Sequence, residues 1–221
     1  MKKITVGFLL FFLSSICFVN ANSFDFGAGY HTINKTIRVQ YQDISGHEPT
    51  FAVNFAFTLG GGSGKWKTLA VGMYFSLLFP QLFEFSAEGQ STAIDKSDYE
   101  AIFGMDFLGG VTFRLYTSKK FHLPLTIGIH WYAMVTKNNY FRERYRDVVS
   151  YSSLGVGANI GGEYNFTSKF YTYARVQLSY DPFTEVSKSS RKATHSAAKS
   201  SGILLVSTVS IEPCLGVGFR W

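Results

Sequence analysis

Large apolar residues and small or polar residues alternate along much of the chain. In residues 69–79 every odd-numbered position is large and apolar, from Leu69 to Phe79. A period of two places successive side chains on opposite faces of a β-strand. The alternating segments are 24–30, 51–59, 69–79, 101–115, 123–133, 154–166, 170–180 and 215–221. The pattern therefore predicts an all-β chain with eight strands.

The connections between these segments are short and long in turn. Short connections lie at 60–65, 117–120 and 167–169, and long polar stretches lie at 32–50, 80–98, 136–150 and 181–202. Membrane barrels inserted from the periplasm keep short turns there and longer loops outside. Hydrocarbon offers no hydrogen-bond partner, so a sheet can span it only by closing on itself. We therefore expect a closed antiparallel up-and-down transmembrane β-barrel, with short periplasmic turns and long extracellular loops.

Pro213 interrupts the approach to the last segment. Proline has no main-chain N–H and cannot donate to a strand ladder, so we expect a bulge or irregular pairing there. An alternative is that residues 203–209 and 215–221 are separate strands, which would break the even strand number.

The first 21 residues have the form of a signal peptide. Lys2 and Lys3 precede an apolar stretch at 4–18, and small residues follow at 19–21. We expect cleavage before Asn22, which leaves residues 22–221 as one barrel domain. The rest of the chain has no run of 18 apolar residues, which excludes a helical membrane span.

Composition and charge narrow the class further. Aromatic residues make up 17% of the chain and charged residues 16%, whereas about 25% of a typical soluble chain is charged. The net charge of +6 falls to +4 once Lys2 and Lys3 are removed. Because the excess is small and the chain is exported, nucleic-acid binding is not expected. Cys214 is the one cysteine after the signal, so no intramolecular disulfide is expected.

The C-terminal residues resemble the signal by which outer-membrane barrels are recognised for assembly. This signal comprises Leu215, Val217, Phe219 and Trp221. Residues 155–166, with 171–175, resemble the penultimate hairpin of the small outer-membrane β-barrel superfamily, which includes the OmpA membrane domain, OmpX and OmpW. Residues 26–30 are similar to its first strand. The resemblance implies a monomer in the outer membrane of a diderm bacterium, with loops on the cell surface, in contact with outer-membrane lipid and the barrel assembly machinery.

Several charged or titratable residues are predicted to face the barrel interior. An eight-stranded barrel is only wide enough inside for side chains, so we expect a network that fills it. A polar conduit is the alternative. The predicted lumen network comprises Asp106, Arg114, His130, Glu163, Arg175, Glu212 and Arg220.

Basic residues gather in two of the long polar stretches. They are Lys137, Arg142, Arg144, Arg146, Lys188, Arg191 and Lys192. Such patches attract anions without being specific for one. They favour recognition of anionic glycans, lipopolysaccharide phosphates or a host surface ligand; ordinary solvated loops are the alternative.

We therefore expect a structural, adhesion or surface-recognition protein with no catalytic residues. One alternative is a narrow channel for small hydrophobic molecules, which the OmpW resemblance implies. Another is a lipid A-modifying enzyme, for which His31 and Ser91 are candidates without the spacing of a nucleophile and its base. No cofactor or metal is expected, because the histidines are scattered and show no ligand spacing.

Overall fold

The structure is a computed structural model. It describes residues 23–39, 42–60, 69–80, 82–87, 90–95, 99–138, 145–192, 197–204 and 206–221. The predicted signal peptide lies outside these ranges. Within them, no helix has the length and hydropathy needed to cross a membrane.

Strands of one closed sheet make up the described part of the chain. The segments are β1 (Ser23–Val39), β2 (Gln42–Leu59), β3 (Leu69–Pro80), β4 (Leu82–Ala87), β5 (Gln90–Asp95), β6 (Tyr99–Thr117), β7 (Phe121–Asn138), β8 (Tyr145–Asn165), β9 (Phe170–Lys192), β10 (Ala197–Leu204) and β11 (Val206–Arg220). The wall runs in the order β1, β2, β3, β6, β7, β8, β9 and β11, all antiparallel, and β11 pairs back onto β1. The predicted all-β barrel of eight strands is confirmed.

The remaining segments lengthen the barrel wall at one end. Beyond β3, β4 pairs with β2 and forms a hairpin with β5, while β10 pairs with β9 and precedes β11. The sequence predicts loops at 32–50, 80–98, 136–150 and 181–202, but strands extend far into each of these stretches. Their main chains are paired although their sequences lack the alternation of the other segments. We name this end of the barrel the ribbon end.

The opposite end carries the short turns, and we name it the turn end. Residues 118–120 and 166–169 connect strands there, as the sequence predicts. Gly60 follows β2 with a φ of +87°, a left-handed conformation that glycine adopts without strain.

Side chains alternate between the two faces of the wall, with apolar residues outside. Ile129 on β7 and Val156 on β8 are 62% and 61% exposed, whereas Thr126 and His130 on β7 are fully buried. This is the reverse of a soluble protein, in which aliphatic side chains are buried and polar ones exposed. The distribution is that of a sheet whose outer face meets hydrocarbon.

Pro213 lies within β11, which continues through it. The ladder to β1 pairs Gly29 with Cys214 and then Thr32 with Ile211, with the step between them unpaired and the register unchanged. The pairing is thus irregular at Pro213, as its missing N–H requires, but there is no bulge. Because β11 is one strand, the even strand number is preserved. We call the β1–β11 junction the seam.

Candidate functional site

Apolar side chains fill the interior nearest the ribbon end. They form one cluster in which no side chain is more than 2% exposed. The cluster consists of Ile33, Ala52, Leu78, Tyr132 and Met134. These residues come from β1, β2, β3 and β7, so the cluster reaches across the barrel at this level.

A ring of polar side chains lies next to this cluster, on the side toward the turn end. Each of the eight wall strands contributes one member, and the members contact one another in series, from Ser153 to Ser76 in the order given below. We name it the polar ring: Ser153, Asp181, His130, Asp106, His31, Glu212, Asn54 and Ser76. All of them are buried, from fully for His31 to 8% exposed for Asn54. Buried polar groups require such pairing, since an unpaired one is costly.

His130 is held between two carboxylates. Its Nδ1 lies 2.8 Å from Asp181 Oδ1, and its Nε2 lies 2.6 Å from Asp106 Oδ2. Because ionised carboxylates only accept hydrogen bonds, both contacts are satisfied when both ring nitrogens carry a proton. His130 then supplies a positive charge between two negative ones. Ser153 Oγ donates to Asp181 Oδ2 at 2.7 Å and completes this side of the ring.

His31 links the ring across the seam. Its Nε2 lies 3.2 Å from Asp106 Oδ2 and 3.7 Å from Glu212 Oε2. Glu212 in turn accepts hydrogen bonds at Oε1 from Asn54 and from Ser76, the latter at 2.7 Å. Side chains therefore connect β1 with β11 at the step where Pro213 leaves the main chains unpaired.

A second charged cluster fills the barrel nearer the turn end. Arg175 Nη2 donates to Glu163 Oε1 at 2.8 Å and is also ion-paired with Asp25. Arg220 is ion-paired with Glu163 on its other carboxylate oxygen. We name these four residues the arginine cluster; its two positive and two negative charges balance.

Aromatic rings contact these arginines, and a glycine leaves room for one of them. The Cζ atom of Arg175 lies 4.0 Å from the centre of the Tyr173 ring, and that of Arg220 lies 3.8 Å from the Tyr171 ring. These distances are typical of cation–π contacts. A Cβ at Gly161 would overlap the Arg175 side chain. The absence of a side chain at this position therefore leaves room for the arginine.

The structure distributes the predicted lumen residues over both clusters. Asp106, His130 and Glu212 are in the polar ring. Glu163, Arg175 and Arg220 are in the arginine cluster. Arg114 is half-buried beside it, close enough to Glu163 and Arg220 for an electrostatic interaction.

Three central residues are missing from the predicted network. Asp25 shares the parity of the small residues of β1, so the alternation could have identified it. His31 was expected at the end of the first strand, but β1 continues to Val39 and buries it. Asp181 was assigned to a loop, whereas the structure places it in β9 beside an extra residue opposite Gly155.

The predicted recognition residues lie at the ribbon end where the structure describes them. Lys137 is half-buried near the end of β7. The β8–β9 register places Arg146 directly opposite Arg191, Val149 opposite Lys188 and Tyr145 opposite Lys192. Arg142 and Arg144 lie outside the described residues. Of the predicted assembly signal, Leu215, Val217 and Trp221 are exposed and Phe219 is partly exposed, all on the outer face.

The clusters neither expose a nucleophile nor form a metal site in the described part of the chain. Ser153 is buried and its hydroxyl donates to a carboxylate, whereas an activated serine contacts a base. No group of three or more His, Cys, Asp or Glu side chains among the described residues has the geometry to hold a metal ion. The arrangement can fill the barrel and hold its strands together.

Structural comparison identifies the class of protein that has this fold. The outer membrane protein OprG from Pseudomonas aeruginosa is similar, with a TM-score of 0.57 and 11% identity over 91% of this chain and 97% of that chain. A major outer membrane protein from Thermus thermophilus has a TM-score of 0.58 and 9% identity, over 88% of this chain and 99% of that chain. No family model matches the chain, and no curated protein matches it in sequence. The fold is that of the small outer-membrane β-barrels, as the resemblance in sequence predicts.

Proposed function

We propose that this chain is a monomeric, non-enzymatic barrel of the bacterial outer membrane, closed inside, that binds an anionic ligand at its ribbon end on the cell surface. The apolar outer face and the fold shared with two outer-membrane proteins support the location. The observation that carries the proposal is the filled interior. A barrel without an open channel can bind a soluble ligand only at one of its two ends.

The interior is filled at three levels. The apolar cluster, the polar ring and the arginine cluster follow one another from the ribbon end to the turn end. Their side chains contact one another across the barrel, and all of them are buried except Arg220, which is partly buried. An eight-stranded barrel has little space beyond its own side chains, which supports a plugged interior.

Strands that are longer than a bilayer requires form the proposed binding surface. A tilted strand crosses the hydrocarbon in about 9–11 residues, whereas β8 has 21 and β9 has 23. The excess lies at the ribbon end, where β10 adds a third strand beside β9. We name this three-stranded extension the outer ribbon: residues 145–153, 184–192 and 197–204.

The register of the outer ribbon supports an anionic ligand. Arg146 and Arg191 are directly opposite each other in the β8–β9 ladder. Like charges at opposed positions destabilise a sheet, and a bound anion removes that repulsion. Sulfated or phosphorylated glycans supply such charges.

Binding of a sulfated polysaccharide to the folded barrel in detergent tests the proposal. We expect saturable binding that falls about tenfold or more in the variant Arg146→Gln/Lys188→Gln/Arg191→Gln, because charge-assisted contacts are lost. The matched control is Lys119→Gln/Lys120→Gln/Lys169→Gln, which removes the same charge from exposed positions at the turn end. Equal binding by all three proteins, or equal loss in both variants, contradicts the proposed ligand site.

A groove in the wall favours a second candidate function, a route for small hydrophobic molecules. It has a volume of about 630 Å³ and opens on the outer face beside Pro213, between Tyr30 and Leu215. The buried residues Arg175 and Cys214 line its inner side. An apolar molecule could enter from the membrane there, but the polar interior offers it no apolar path.

Channel recordings and growth tests separate the two functions. The proposed closed barrel gives no conductance events in planar bilayers, and its deletion does not impair growth on limiting apolar substrates. Under the second function Ala174→Phe, which narrows the groove, reduces uptake, while Ala158→Phe on the neighbouring outer surface does not. An uptake defect restricted to Ala174→Phe would establish the channel and refute the closed barrel.

A further inference from the structure

Two turns and the C-terminal strand are hydrogen-bonded together at the turn end. The N–H of Asn165 donates to Lys120 O at 2.8 Å, and its side chain donates to Lys119 O at 3.2 Å. The N–H of Arg220 donates to Lys169 O at 2.7 Å. The lysines are therefore carried on a connected main chain, which fixes their relative positions.

The exposed charged side chains described on this surface are all positive. Lys119, Lys120 and Lys169 are all exposed. Every carboxylate whose side chain the structure describes is instead inside the barrel and no more than 8% exposed. The nearest of them, Asp25 and Glu163, are ion-paired with arginines. Among described residues, therefore, no exposed Asp or Glu side chain offsets the three lysines.

Exposed aromatic side chains adjoin these lysines. Phe121 follows Lys120, and Phe166 and Phe170 flank the turn that carries Lys169; they are 39%, 65% and 56% exposed. Trp221 is exposed too and packs beside Phe219, with ring centres 5.7 Å apart. Aromatic residues concentrate where hydrocarbon meets headgroups. Their position places the lysines at headgroup level.

We propose that this surface binds the phosphate headgroups of anionic glycerophospholipids in the inner leaflet of the outer membrane. We name it the periplasmic rim: Lys119, Lys120 and Lys169 with Phe121, Phe166, Phe170 and Trp221. The proposal rests on the proposed outer-membrane location with the short turns in the periplasm. The lysines hold the phosphate, and the aromatic rings contact the upper acyl chain.

The test is native mass spectrometry of the full barrel extracted from vesicles of equal parts phosphatidylglycerol and phosphatidylethanolamine. We expect the wild type to retain phosphatidylglycerol over phosphatidylethanolamine by about tenfold or more, since each basic residue near an anionic headgroup contributes. Lys119→Gln/Lys120→Gln/Lys169→Gln should retain both equally. The control Lys35→Gln/Arg38→Gln/Lys199→Gln, at the other end, should keep the wild-type preference.

Three results would overturn the proposal. They are equal retention of both lipids by the wild type, equal loss of preference in the control, and displacement of the lipid by inorganic phosphate, which would identify a free-anion site. If the triple variant does not fold, loss of the wild-type preference at high salt is the deciding measurement, and a preference unaffected by salt refutes the role of the lysines.

Insertion is measured first, by the heat-dependent gel shift of vesicle-bound protein. A barrel that does not insert contradicts the proposed function. One that inserts and shows no lipid preference contradicts only the periplasmic rim.

Discussion

Glu212 and His31 face each other inside the barrel, across the step of the seam where the main chains are unpaired. Glu212 Oε2 lies 3.7 Å from His31 Nε2, and the ladder resumes on either side of them. Side-chain contacts here take the place of main-chain pairing between the first and last strands. Contacts between side chains in the barrel interior therefore hold the first and last strands together at this step.

The Pro213→Val variant should strengthen the seam. Valine restores a main-chain N–H, and one additional hydrogen bond contributes about 1 kcal/mol to the free energy of unfolding. Urea unfolding in lipid vesicles measures the difference, with Ile211→Val as a control on the same face of β11. Unchanged stability would mean that the missing N–H does not limit the seam.

Replacing His130 by Phe should destabilise the barrel strongly. Asp106 and Asp181 would both remain buried without the group between them, and breaking a buried charged pair costs about 3–5 kcal/mol. The control is His122→Phe, a half-buried position on the same strand outside the polar ring. Equal, small effects of both substitutions on urea unfolding would show that the ring adds little to stability.

Two adjacent glycines should differ in their tolerance of alanine. A Cβ at Gly161 would meet Arg175 Cα at 3.0 Å as well as its side chain, whereas at Gly162 it would contact only the Phe121 ring, at 3.0 Å. Because main chain cannot move aside, Gly161→Ala should cost about 1–3 kcal/mol, and Gly162→Ala should cost less. The midpoint of thermal unfolding in micelles is the measurement, and the reverse order would contradict the packing around Arg175.

Fluorescence quenching by lipids with brominated chains should separate the two faces of β7. With the native tryptophans replaced by Phe, a tryptophan at the exposed Ile129 should be quenched, and one at the buried Tyr132 should not. Equal quenching of the two would contradict a membrane-facing outer surface.

The central part of each wall strand could be predicted because one face is apolar. In β3, residues 69–79 alternate in sequence, and their burial alternates in the structure. The same parity placed Asp106, Arg175 and Glu212 inside. An apolar outer face and a packed interior impose this period of two, so it is visible in the sequence.

The ends of the strands could not be predicted, because the alternation of apolar and polar residues stops before the main-chain pairing does. Residues 184–192 of β9 are paired with β8 and β10, yet their sequence has the polar composition of a loop. Asp181 was missed because an extra residue near it shifts the register between β8 and β9. A local irregularity of this kind leaves no periodic signal.

The contacts within the polar ring also depend on the number of strands in the wall. None of its consecutive contacts is longer than 3.7 Å, and together they involve all eight strands. Inserting one more hairpin would lengthen the circumference by about 10 Å and the diameter by about 3 Å, since neighbouring strands are about 4.8 Å apart. Contacts of this length across the interior could not span that increase. A descendant of this protein could therefore gain or lose strands only by replacing most of these residues together, which makes a change of barrel size a difficult evolutionary step.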